Sequence, residues 1–201
     1  MRKEVPITLT FNTALLGTVP KDKNVYAAHI LSKAREIDPD VAESELETVQ
    51  EVEEKGWTGF HEDEDGLFIY SYMIKGFLKS ALEALMAMGD VKKIPAYKKW
   101  IDKLIFIEPR KLHFGMAQPD GIEERPLRAM TAQGPRVTVA RSDKIDAGRQ
   151  IKCTIVFFEN DKKITEEVIE ACLGYGEYVG LGQWRGSGGF GQFTYTIGNI
   201  E

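Results

Sequence analysis

The chain has 201 residues, 43% of them hydrophobic and 28% charged, and its formal net charge is −5. This composition supports a packed core and excludes wholesale disorder. No apolar run approaches the roughly 18–20 residues of a membrane span, no signal peptide is visible, and two cysteines are too few for a disulfide scaffold or a zinc site, so we expect a cytoplasmic protein.

The charge is unevenly distributed along the chain. Residues 40–65 contain eleven acidic residues and one basic residue, which leaves 20 acids and 25 bases in the rest of the chain. Between Lys92 and Lys152 there are 14 bases and 7 acids. Because local field governs binding more than total charge, a basic face is compatible with the acidic average. Ordinary scattered surface charge explains the same numbers equally well.

The first half of the chain alternates between strand and helix patterns. Period-two alternation predicts a strand from Val5 to Leu16, and Val25–Ile37 is predicted as a short helix. The acidic stretch 40–66 runs into three glycines and is predicted as an insertion or flap. Leu67–Tyr72 is predicted as a brief strand or extended run. From Ile74 to Met88 the apolar residues follow i, i+3, i+4, i+7, which predicts an amphipathic helix.

The second half is richer in strand patterns. Residues 98–107 are predicted to begin as a helix and to end as the strand Leu104–Ile107, with a second short strand at Lys111–Phe114. Glycine and proline over 115–135 predict a long loop or hairpin. Further strands are predicted at Pro135–Arg141, Ile151–Phe158 and Gln192–Ile197, and a helix at Glu166–Leu173 with Thr165 as its N-cap.

This order of elements predicts an α+β fold in a single domain over residues 1–201. We expect a mostly antiparallel sheet of the ferredoxin-like or RRM-like kind, with helices on one face. The acidic flap over 40–66 and a loop or hairpin over 115–150 are then insertions into this domain.

The segment 180–191 is the most distinctive part of the sequence, because six of its twelve residues are glycine. Glycine is costly to order and adopts positive φ freely, so this density predicts tight turns or a close approach of backbone to a ligand. Trp184, Arg185 and Phe190 lie among the glycines. Exposed amides, a guanidinium and aromatic faces suit a polynucleotide with stacked bases, whereas the structural alternative is a loop packed tightly on the sheet. The segment is neither a Walker loop nor a Rossmann loop, because it lacks the Gly-Lys-Ser/Thr ending and leads into a strand.

Two segments together resemble the RAMP superfamily, the RRM-like subunits of CRISPR systems. Residues 180–193 are similar to the C-terminal glycine-rich loop of that family, which precedes the last strand. Residues 72–82 are similar to its Lys-Gly signature at the start of a helix. The usual Pro-Gly-Ser-Ser sequence before that helix is replaced here by Tyr72-Met73-Ile74. The similarity covers most of the chain in layout and about twenty residues as motif.

The resemblance implies a non-enzymatic protein that binds single-stranded nucleic acid and assembles along the strand like a CRISPR effector backbone subunit, as a homo-oligomer or in an effector-like complex. A phage or mobile-element relative of such subunits fits equally. No metal, cofactor or membrane is expected, and DNA and RNA are not distinguished. The predicted contacts to nucleic acid are Lys75, Lys79, Arg136, Arg141, Gly182, Trp184, Arg185, Gly186, Gly188, Gly189 and Phe190.

Two alternative functions are open at this point. Tyr26, His29 and Lys33 lie on one face of the predicted first helix, where a metal-independent RAMP-type endoribonuclease would place an acid–base group. The apolar surroundings of His29 favour a half-buried structural histidine instead. The acidic flap fits a non-catalytic decoy that inhibits CRISPR effector assembly. Asp63 and Asp65 are predicted to be solvated charges without a metal.

Overall fold

A computed structural model describes residues 1–21, 56–131, 134–159 and 163–198, with the side chains of 127–138 left out of the description. The predicted helix Val25–Ile37 and residues 40–55 of the predicted flap lie outside these ranges. The described strands are β1 Arg2–Phe11, β2 Leu15–Leu16, β3 Val19–Pro20, β4 Trp57–Gly59, β5 His61–Asp63, β6 Gly66–Tyr70, β7 Ile105–Glu108, β8 Lys111–His113, β9 Gly121–Thr131, β10 Gly134–Ile145, β11 Gln150–Phe158 and β12 Phe193–Ile197. The described helices are α1 Tyr72–Met88, α2 Tyr97–Leu104 and α3 Glu166–Gly174.

The central sheet confirms the predicted ferredoxin-like arrangement. Its four strands are antiparallel in the order β12-β1-β11-β7. With α1 between β1 and β7 and α3 between β11 and β12, this is the βαββαβ path with the fourth, first, third and second strands side by side. The predicted alternation holds in β1, whose Val5, Ile7, Leu9 and Phe11 are all buried on one face.

The helices cover one face of the central sheet. The stripe predicted for α1 is buried from Ile74 to Leu85, and α1 packs against both α2 and α3. Phe193 of β12 joins helix to sheet, with ring centroids 5.0 Å from Phe77 and 6.3 Å from Phe11. Thr165 caps α3 as predicted, because its side chain accepts a hydrogen bond from the Val168 amide.

Residues 56–66 form structure that the flap prediction missed. β4 pairs with β3 and with β10, and β5 pairs with β6 in a separate three-stranded sheet that β8 completes. Residues 56–66 of the predicted insertion or flap therefore form paired strands and their turns. The glycines that suggested a loop serve close packing, since a Cβ added to Gly59 would lie 2.6 Å from a carboxylate oxygen of Asp143.

A long β-hairpin extends from the region between β7 and β11. β9 and β10 are paired antiparallel from Gly121–Lys144 to Thr131–Gly134. The sequence left a loop and a hairpin as alternatives over 115–135, and the structure shows a hairpin. Pro126 had indicated a loop because proline cannot donate to a ladder. It lies opposite Val139 in a strand that pairs only with β10 among the described residues, and an edge strand tolerates proline.

Candidate nucleic-acid interface

The glycine-rich loop 180–191 is anchored between the ends of β1 and β12. Leu181 is fully buried, and its amide donates to the Gly191 carbonyl at 2.9 Å. The Gly191 amide donates to Ala14 at 2.8 Å, and the Asn12 amide donates to Gln192 at the same distance. The base of the loop is therefore part of the core.

Five of the six glycines of the loop fall into two groups. At the base, Gly180, Gly182 and Gly191 have φ between 67° and 78°, and a Cβ on any of them would collide with neighbouring backbone. At the tip, Gly186 and Gly189 also have positive φ, but a Cβ there would meet no atom within 4 Å. Packing explains the first group. The second group forms an open, tightly turned tip.

Many amides of the loop are already engaged within the protein. Six donate to backbone carbonyls, with nitrogen-to-oxygen distances from 2.7 to 3.4 Å; they are those of Leu181, Gln183, Gly186, Gly189, Phe190 and Gly191. A phosphate at the loop would therefore meet mainly its side chains and the remaining amides. Among those side chains, Trp184, Arg185 and Ser187 are exposed.

Arg125 of β9 connects the hairpin to the glycine-rich loop. Its guanidinium carbon lies 4.0 Å from the ring centroid of Phe190 and 4.8 Å from that of Trp184. Such cation–π contacts contribute about 0.5–2 kcal/mol, depending on desolvation. The Arg125 Nε is buried and has no hydrogen-bond partner among the described residues. Trp184 adopts a φ of 54°, a left-handed conformation that is uncommon for a bulky residue.

A buried polar cluster fixes the other side of the loop. The Gln183 side-chain oxygen accepts hydrogen bonds from Thr58 and Ser142, each at 3.1 Å, and those two hydroxyls are 2.9 Å apart. The next residue of β10, Asp143, accepts from Lys21 and from the Trp57 indole. The loop is consequently held by β4 and β10 as well as by Arg125.

The arginines near the loop differ in whether a carboxylate neutralises them. Arg141 donates to Glu124 at 2.9 Å, and Arg149 donates to Asp120 at 2.9 Å. Among the described residues, Arg125 and Arg185 contact no carboxylate. These two arginines therefore place uncompensated positive charge, among the described residues, where the hairpin meets the loop tip.

The two predicted lysines of α1 lie apart from this cluster. Lys75 donates to the Asp102 carbonyl of α2 at 3.0 Å and lies over the Phe106 ring of β7, and burial lowers its pKa. Lys79 forms a salt bridge with the Asp102 carboxylate at 2.6 Å. β7 and β12 are opposite edges of the central sheet, so these lysines and the glycine-rich loop do not form one site in the described structure.

Four of the residues singled out in the sequence lie wholly or partly outside the described structure. Arg136 lies in β10 opposite Ala129, but its side chain is outside the described set. The trio Tyr26, His29 and Lys33 is also outside the described residues.

Asp63 is not the solvated charge that the sequence indicated. It accepts hydrogen bonds from Lys111 and from His113 Nε2, and the Lys111 contact holds its pKa at about 2. Asp65 and His113 each bring a ligand atom into the same cluster, within 4.8 Å. Because Lys111 already compensates Asp63, this is an ion-paired cluster linking β5 to β8.

Sequence reasoning missed the central role of Arg125. The residue was one of several arginines in a segment interpreted as loop or hairpin, and nothing local relates it to Trp184 or Phe190. No local pattern indicated this role, because the three consecutive polar residues Glu123 to Arg125 are followed by Pro126 and interrupt any strand-like alternation.

Comparison with known proteins supports the fold. No family model matches the chain, and no curated protein matches it either. Among solved structures, all of the chain aligns with 60% of a chain in the "Cryo-EM structure of the Type III-B Cmr-beta bound to cognate target RNA", with a TM-score of 0.50 and 12% sequence identity.

At 12% sequence identity, this structural similarity shows a shared fold alone. The class defined is an α+β protein of ferredoxin-like fold. More particularly, the chain shares its fold with part of a chain from an RNA-bound Type III-B complex, and it spans 60% of that chain's length. Within the described residues, no helix is both long and apolar enough to cross a membrane.

Proposed function

We propose that this protein binds single-stranded nucleic acid at the junction of the β9–β10 hairpin and the glycine-rich loop, as a subunit that assembles along the strand. The observation that carries the proposal is the cation–π contact of Arg125 with both Trp184 and Phe190, beside the exposed Arg185 in the same loop. The similarity in fold to a chain of an RNA-bound complex supports the same function.

The arrangement suits a single strand better than a folded protein partner. Arg125 and Arg185 supply charge for phosphates, since neither forms an ion pair with a carboxylate among the described residues. Trp184, which is 38% exposed, offers an aromatic surface on which a base can stack, worth about 1–3 kcal/mol per base. The open glycine tip, Gly186 and Gly189, lets a backbone approach closely because no Cβ projects from it.

Binding of a labelled single strand tests the proposal. We expect R125A and R185A each to weaken binding of a 16-nucleotide RNA or DNA by about tenfold, which corresponds to about 1.4 kcal/mol. R149A is the matched control, since Arg149 is neutralised by Asp120, and its affinity should equal that of the unaltered protein. Fluorescence anisotropy at fixed salt gives the dissociation constants, and thermal unfolding checks that each variant folds.

The proposal is wrong if the unaltered protein binds no single strand at low salt, or if all three arginine variants lose affinity equally. The first result would exclude nucleic-acid binding as the function of this protein. The second would mean that affinity follows net charge and not this site.

A further inference from the structure

Resting on the proposed function, we infer that the single strand continues from the glycine-rich loop into a groove between α3 and the C-terminal end of α1. This α3 groove is lined by two adjoining sets of residues. The apolar half consists of Leu85, Met88, Asp90, Ala171, Gly174, Tyr175 and Tyr178. The basic half consists of Val91, Lys92, Lys93, Ile94, Lys163, Thr165 and Val168.

The two halves are continuous along α3. Val168 lines the basic half and Ala171 lines the apolar half, and residues three apart lie on the same face of a helix. On the opposite wall, Asp90 and Val91 are consecutive. With a rise of about 1.5 Å per residue, the nine residues of α3 make a groove wall about 13 Å long, which is enough for more than one nucleotide.

The apolar half joins the proposed loop site directly. Tyr178 lies two residues before the loop, and its carbonyl accepts a hydrogen bond from the Gln192 side chain at 3.3 Å. The Val179 carbonyl accepts from the Gly186 amide at 2.7 Å, which ties this end of the groove to the loop tip. We therefore expect a strand that leaves the loop tip to reach Tyr178 next.

Exposed apolar side chains in this half are suited to bases. Tyr178 is 67% exposed and Met88 is 55% exposed, which is unusual for two large apolar residues that share one groove. Asp90 is the carboxylate of this lining. It repels phosphate, but it can accept hydrogen bonds from the amino groups of bases. Bases are thus expected at this end and phosphates at the other.

The basic half supplies the charge that phosphates require. Lys92, Lys93 and Lys163 line it, and among the described residues none of the three contacts a carboxylate. The Lys163 ammonium lies 3.4 Å from the ring centroid of Trp100, a cation–π contact that holds it at the groove. Neutralising phosphates in this way makes affinity dependent on salt.

A length series of oligonucleotides tests the inference. The experiment compares the unaltered protein with the triple variant K92A/K93A/K163A, using single strands of 4 to 16 nucleotides. The matched control is K98A/K99A/K103A, which removes the same charge from the exposed lysines of α2. Y178A tests the apolar half separately.

We expect the triple variant to bind the shortest strands like the unaltered protein, and 16-nucleotide strands about tenfold more weakly. The unaltered protein and the α2 control should gain affinity with length in parallel. Y178A should also lose affinity for the long strands, because it removes a stacking surface.

The inference is overturned if the triple variant and the α2 control give the same affinity at every length. It is also overturned if substitution of the groove lysines weakens binding of an acidic protein partner but leaves the dependence of affinity on strand length unchanged. R185A separates the two proposals: it must weaken binding at every length if the loop site is correct, whatever the groove lysines do.

Discussion

Individual glycines in the loop 180–191 have different physical roles, although the sequence presents them as one repeat. Gly191 and Gly189 have nearly equal φ, 67° and 74°. A Cβ on Gly191 would overlap the Leu181 carbonyl, whereas a Cβ on Gly189 would meet nothing within 4 Å. The pair therefore separates the cost of a left-handed conformation from the cost of a steric clash.

We expect G191A to lower the free energy of unfolding by more than G189A. Both substitutions place alanine in the left-handed region, at a cost of about 1–2 kcal/mol. G191A must in addition move the backbone of Leu181, a fully buried residue, and overpacking of this kind adds about 1–3 kcal/mol. Urea denaturation measures both values. Equal losses would mean that the base of the loop is not packed as described.

At the scale of elements, the periodicity of the sequence identified those strands and helices whose signals lie in adjacent residues. The strands of the central sheet, the stripe of α1 and the cap of α3 were all predictable, because alternation, helical spacing and a threonine before two acids are properties of adjacent residues. β9 was not, since Gly121 and Pro126 are normally signs of a loop. β4 and β5 were hidden in the same way by glycines and by their acidic neighbours.

The candidate site was only half predictable for the same reason. Trp184, Arg185 and Phe190 stand together in the sequence and were identified. Arg125, which stacks on two of them, lies on a different element, and its position depends on the register of the hairpin. Lys75 and Lys79 looked equivalent to these residues as surface charge, but the packing of α2 directs both toward Asp102.

The ion pair between Asp63 of β5 and Lys111 of β8 predicts that the protein loses stability in acid. Lys111, with a smaller contribution from His113, lowers the pKa of Asp63 from its ordinary value of 3.8 to about 2. A carboxylate whose pKa is lowered by folding contributes stability above pH 3.8, and this contribution is lost as the pH falls toward 2.

We therefore expect D63N to be less stable than the unaltered protein at neutral pH, with the difference shrinking between pH 4 and pH 2. K111M should show the same convergence, because the lysine is the main cause of the lowered pKa. Chemical denaturation across this pH range provides the test. A difference that stays constant with pH would exclude the ion pair as its source.

At the scale of the whole molecule, the chain combines a ferredoxin-like core with two insertions that meet beside one loop. Thr58 of β4 and Ser142 of β10 donate hydrogen bonds to Gln183, and β9 contributes Arg125, which contacts Trp184 near the loop tip. The net charge of −5 does not oppose nucleic-acid binding, because residues 40–65 carry a net charge of −10 and the rest of the chain carries +5. The charge that matters is the local pair Arg125 and Arg185, which have no carboxylate partner in the part of the chain that the structure describes.

The salt dependence of binding tests this central claim most directly. The dissociation constant of a 16-nucleotide single strand is measured from low to moderate salt for the unaltered protein and for R125A/R185A. Since each phosphate contact to a single strand contributes about 0.7 to the logarithmic salt slope, the double variant is predicted to have a slope shallower by about 1.4. Identical slopes, or no binding by the unaltered protein at the lowest salt, would contradict the account.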